Sequence, residues 1–136
     1  MKITNIAITL IALAAGLAVA EPGKPVALLD QVPYRDEGMG SRKVVDEKHV
    51  LMMQVALKPG QKVPEHKANS NVHILVLKGV VIANLAGTDV AVKEGDLLPI
   101  AFGTLMQIRN DSQDNATFLI VKTPNPSEMT APPATP

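Results

Sequence analysis

An all-β sandwich or barrel is the fold class this sequence predicts, on three observations. Between Lys43 and Lys122 no stretch sustains a helical apolar period. Apolar runs of strand length recur through the same region, each bounded by glycine, proline or a polar cluster. The chain has 136 residues, room for one such domain.

Lys2 is followed by an apolar run from Ile6 to Leu17, and Ala18-Val19-Ala20 then places small residues where a signal peptidase reads them. Residues 1–20 are expected to be a secretory signal cleaved after Ala20. The run is shorter than the ~20 apolar residues that span a bilayer, so no membrane contact is expected once it is removed. Residues 21–42 carry Pro22, Gly23, Pro25, Pro33, Gly38 and Gly40, which predicts an irregular arm with one short strand at Val26 to Leu29.

The regular domain is expected over residues 43–122. His49 to Leu57 is an apolar strand, and Lys58-Pro59-Gly60-Gln61 has the proline and glycine placement of a type II turn. Val72 to Leu77 is a second strand, ended by Lys78-Gly79. Val80 to Leu85 and Asp89 to Lys93 are joined through Ala86-Gly87-Thr88 as a hairpin, and Glu94-Gly95-Asp96 turns the chain again. Leu97 to Ala101, Thr104 to Arg109 and Ala116 to Lys122 complete the set, with Asn110 to Asn115 as a polar loop. Residues 123–136 hold five prolines and are expected to be a disordered tail.

Composition excludes several partners. Without Lys2 the chain has 12 basic against 13 acidic residues, and its aromatic residues are Tyr34, Phe102 and Phe118. Neither a basic stripe nor a stacking platform is present, so nucleic acid is not an expected partner. There is no cysteine, and stability in an oxidising compartment would rest on core burial alone.

Two segments carry spaced residues. Gly60 to Gly79 reads GQKVPEHKANSNVHILVLKG, and Gly95 to Asn110 reads GDLLPIAFGTLMQIRN. With Gly60, His66 and Gly79 in the first and Gly95, Gly103 and Asn110 in the second, the pair resembles the two motifs of the cupin family, over roughly residues 50–122. The resemblance implies a small single-domain cupin of the cupin-2 type, a β-barrel or jelly roll. Such a barrel typically holds one metal ion on three histidines and a glutamate, and it commonly pairs through its outer sheet, so a homodimer is implied.

Three of the four ligand positions are changed. Ala68 stands for the second histidine, Val72 for the glutamate and Met106 for the third histidine, while Ala101 replaces a motif proline. Only His66 remains. Hydrocarbon side chains donate no electron pair, so the geometry that supports oxygen chemistry is not expected here. A thioether favours Cu(I), and methionine also fills gaps. His73 follows the lost glutamate position; strand alternation turns it away from Val72, and only a bulge would make it a ligand. Met52 and Met53 are adjacent, so only one faces the interior.

The expected site is therefore an emptied metal cup: His66 as polar contact, Ala68, Val72 and Met106 as walls, Asn69 and Asn71 on the mouth loop. The leading functional reading is a non-catalytic binder of a small molecule, without a cofactor. Two alternatives stand beside it. One is copper held by His66, Met106 and an inward methionine. The other is an enzyme with His66 as general base, or with a metal on a rearranged set that includes His73; no nucleophile and base pair is identifiable for it.

Overall fold

Nine antiparallel strands make two sheets that face each other across an apolar interior, in a computed structural model that describes residues 19–129. The strands are β1 (Gly40–Glu47), β2 (Val50–Leu57), β3 (Lys62–Lys67), β4 (Asn71–Lys78), β5 (Val80–Leu85), β6 (Thr88–Lys93), β7 (Leu97–Ile100), β8 (Leu105–Arg109) and β9 (Ala116–Thr123). One sheet has the order β1-β2-β9-β4-β7 and the other β3-β8-β5-β6. The all-β prediction holds, and the core comes from one face of each sheet. Val55 and Leu57 of β2, Val72, Ile74 and Val76 of β4, and Phe118 and Ile120 of β9 meet Val81, Ala83, Met106 and Ile108.

The period-two alternation of β4 shows how sequence becomes packing. Val72, Ile74 and Val76 are buried while His73, Leu75 and Leu77 are only half-buried, as a strand with one core face requires. Gly79 follows at a φ of 80°, and a Cβ there would lie 2.7 Å from the Asn115 carbonyl oxygen, so both backbone hand and space demand glycine.

The chain departs from the sequence expectations in several places, among them β1, which begins at Gly40 inside the expected arm. β3 was not foreseen, because its residues KVPEHK are polar and include a proline. Pro64 is tolerated because β3 is an edge strand and its register shifts between Val63 and His66. Val26 to Leu29 is not a strand: the arm is irregular there, and its Leu28 carbonyl accepts a hydrogen bond from buried Gln54 on β2 at 2.7 Å. The arm caps the outer face of the five-stranded sheet, where Gln54 also accepts from Arg42 Nε and donates to Thr117 Oγ1.

The end of the chain also differs from the expected tail. β9 runs through Thr123, a 3-10 turn covers Pro126–Glu128, and Asn125 is buried, its amide donating to Asp46 Oδ1 at 2.8 Å and to the Glu47 carbonyl at 3.1 Å. Capping side chains therefore order residues up to Met129 despite their prolines. The expected signal segment, apart from Val19 and Ala20, and the last seven tail residues lie outside the described residues. Among the described residues no helix is long and apolar enough to cross a membrane.

Candidate functional site at the barrel mouth

The bulge in β3 aims His66. Val63 lies across from Ile108, an inner residue, and regular alternation would send His66 to the outside. The two residues between them, Pro64 and Glu65, restore the inward phase, so His66 lies directly across from Met106. Cross-strand partners share a face, and Met106 is a core residue at 2% exposure. His66 is half-buried, and its Nδ1 lies 2.9 Å from the Pro64 carbonyl oxygen. A carbonyl only accepts, so Nδ1 carries the proton and Nε2 is the nitrogen left for a partner.

Ala68 and Val72 close the wall, at 2% and 1% exposure. The β3–β4 connection joins them at one end of the barrel, where the β7–β8 loop is tied to it: Ala68 N–H donates to the Thr104 carbonyl and Gly103 N–H to the Ala68 carbonyl, both at 2.8 Å. Ser70 is buried beneath this connection and donates to the Pro124 carbonyl at 2.6 Å. Asn69 and Asn71 are exposed on either side of it, and Asn71 Oδ1 accepts a hydrogen bond from Phe102 N–H at 3.4 Å.

His73 does not join this group. β4 keeps an unbroken register from Asn71 to Val76, with its bulge only between Val76 and Lys78. His73 therefore faces outward between Val121 and Pro99, and the metal set that included it is not assembled. Of the adjacent methionines, Met53 packs against the core opposite Ile120, while Met52 shares the outer face with Val121.

Sequence reading missed Lys122. It lies across β9–β4 from Val72 and across β2–β9 from Leu51, which puts it on the inner face at the mouth. Its ammonium donates to Asn69 Oδ1 at 3.0 Å, and burial pushes its pKa below the usual lysine value. The missed signal is period two: Ala116, Phe118 and Ile120 are the inner residues of β9, and Lys122 is next in phase.

Similarity to known proteins decides the family. The chain is 33% identical over 91 residues to an uncharacterised protein of Methanocaldococcus jannaschii, covering 66% of this chain and 78% of that protein. The crystal structure of that relative is of an RmlC-like cupin family protein with a double-stranded β-helix fold. It superposes with a TM-score of 0.64 over 70% of this chain and 89% of the other. The chain belongs to the RmlC-like cupin family. An RmlC-like cupin of Desulfovibrio desulfuricans shares the fold at a TM-score of 0.68 and 23% identity, over 74% of this chain and 96% of that one. A predicted oxalate decarboxylase of Thermotoga maritima matches at 0.57 and 25% identity, over 62% and 79%. No family model matches the sequence.

Within this cupin the residues at the four family ligand positions do not fit the usual cation. A structural or catalytic ion needs three or four protein donors, and these positions supply one imidazole, one thioether, a methyl group and an isopropyl group. Among the described residues no three His, Cys, Asp or Glu side chains come together in a metal-binding group. What the mouth does offer is an imidazole, two amides and the ammonium of half-buried Lys122 on an apolar wall.

Proposed function

We propose that this cupin is an exported, metal-free, non-catalytic protein that binds a small molecule at the barrel mouth. The observation that carries the reading is the burial of Ala68, Val72 and Met106, three former donor positions now packed as core, beneath His66, Asn69 and Asn71. A few convergent polar groups on an apolar wall are the usual makings of a small-molecule site. Export is supported by Lys2, the apolar run from Ile6 to Leu17 and Ala18-Val19-Ala20. Native mass spectrometry of protein isolated from producing cells tests the binding. A releasable small-molecule adduct, lost in Asn69→Trp, supports it; an adduct that persists in that variant places the ligand elsewhere and contradicts it.

One observation favours a second reading. His66 and Met106 are direct cross-strand partners, an imidazole and a thioether of the kind Cu(I) accepts, and Met53 packs against the same core from the other sheet. Titration with Cu(I) against a competing chelator distinguishes the two readings.

A homodimer is part of the same proposal. Val45, Met52, Val121, His73 and Pro99 form a row across the outer face of the five-stranded sheet, next to Leu97 at 58% exposure. Such a face suits a second copy of the chain.

A further inference from the structure

The strongest feature that the emptied cup leaves unexplained is Lys122. Lysine is among the residues least often buried without a partner, because removing its charge from water is costly. Here the ammonium stem starts on the inner face, in the same ladder row as Leu51, Val72 and Ile100. Those neighbours are apolar. Among the described residues its hydrogen-bond partner is the neutral amide oxygen of Asn69, and no carboxylate pairs with it. An ammonium has three N–H donors, and Asn69 engages one of them at the exposed mouth.

Its placement is specific to the changed site. Val72 occupies the position where the family motif has a glutamate, and Lys122 is the residue directly across the ladder from it. With valine there, the position across the ladder offers this ammonium no carboxylate.

Resting on the small-molecule reading above, we propose that Lys122 supplies the positive charge at this mouth and that the ligand is a small organic monocarboxylate. Its carboxylate would accept from Lys122 Nζ, while Asn69 stays on the same ammonium and His66 lies on the facing sheet. A single ammonium matches one negative charge rather than two. Phe102, at 58% exposure on the β7–β8 loop, suits a hydrocarbon body, while Leu51, Val72 and Ile100 are packed in the core. A carboxylate and an ammonium make a charge-assisted hydrogen bond, stronger than the bond Asn69 makes as a neutral amide.

Isothermal titration of the full chain with butyrate and benzoate, beside butyramide and benzamide, tests this, with thermal melts showing that each variant is folded. The carboxylates should bind about tenfold or more tightly than the matched amides, and Lys122→Met should lose that preference while Lys122→Arg keeps part of it. If Lys122→Met remains folded and binds benzoate as the unmodified chain does, the assignment of Lys122 is overturned. Equal binding of acids and amides, abolished by Asn69→Trp, overturns the monocarboxylate and leaves the mouth as a small-molecule site. Carboxylate binding that survives Asn69→Trp and Lys122→Met alike overturns both readings.

Discussion

His66 and Met106 face each other across the β3–β8 ladder only because Pro64 and Glu65 interrupt the register of β3. The bulge keeps His66 pointing inward, toward Met106. If the proposed reading of the mouth as an emptied metal site holds, the backbone still supports a cage, and restoring the donor side chains should return it. Ala68→His, Val72→Glu and Met106→His together should confer binding of about one divalent transition ion per chain, as a four-donor set does. Without metal the triple variant should be less stable than the unmodified chain by about 2–5 kcal/mol, since polar groups would replace packed hydrocarbon. Thermal melts with and without Zn²⁺ or Mn²⁺ check both outcomes.

The outer face of the four-stranded sheet carries an ion-pair network whose pH dependence can be read. Arg109 holds Asp89 through two hydrogen bonds of 3.1 and 2.8 Å, and Asn84 adds a third at 2.7 Å. These bonds lower the Asp89 pKa from 3.8 to about 2, the Arg109 bonds first. A carboxyl with a depressed folded-state pKa stabilises above its unfolded pKa and loses that contribution as pH falls through the folded one. Asp89→Asn should thus melt below the unmodified chain at neutral pH. The gap should begin to close near pH 4 and vanish as pH passes about 2. Melting curves across that range are the check.

Gln54 binds the N-terminal arm to the barrel. It is fully buried, donates to the Leu28 carbonyl and to Thr117 Oγ1, and accepts from Arg42 Nε. Gln54→Ala would leave buried groups unpaired and should cost about 2–3 kcal/mol. Limited proteolysis should cut the arm faster in that variant, while the sheet residues retain their hydrogen-exchange protection.

The proposed dimer has its own test. Light scattering should give a mass of two chains, and Leu97→Glu should shift it to one without lowering the melting temperature of the monomer, because Leu97 is exposed in the single chain. A single-chain mass for the unmodified protein would remove the dimer.

Much of this fold was legible because apolar runs and turn residues agree. β2, β4, β5, β6 and β8 are each an apolar run closed by a turn that carries glycine or asparagine, and β9 is one closed by Thr123-Pro124. β1 and β3 were not, since GSRKVVDE and KVPEHK are mostly polar edge strands in which Val44 and Val63 are the buried apolar side chains. The family spacing brought His66 and Met106 together correctly on paper, and ladder register does so in space. Lys122 escaped because Thr117, Leu119 and Val121 lie on a face that the arm and sheet also shelter. With apolar residues on both faces of β9, alternation alone did not show which one was inner. Asn125 escaped for a different reason: its order comes from Asp46 and Glu47, far away in the chain.

Elemental analysis bears most directly on the emptied cup. The untagged protein should be produced with Fe, Mn, Zn, Cu and Ni available and then dialysed against a mild chelator. The account predicts far less than one transition ion per chain. A stoichiometric ion that survives dialysis and is released by His66→Ala would contradict it.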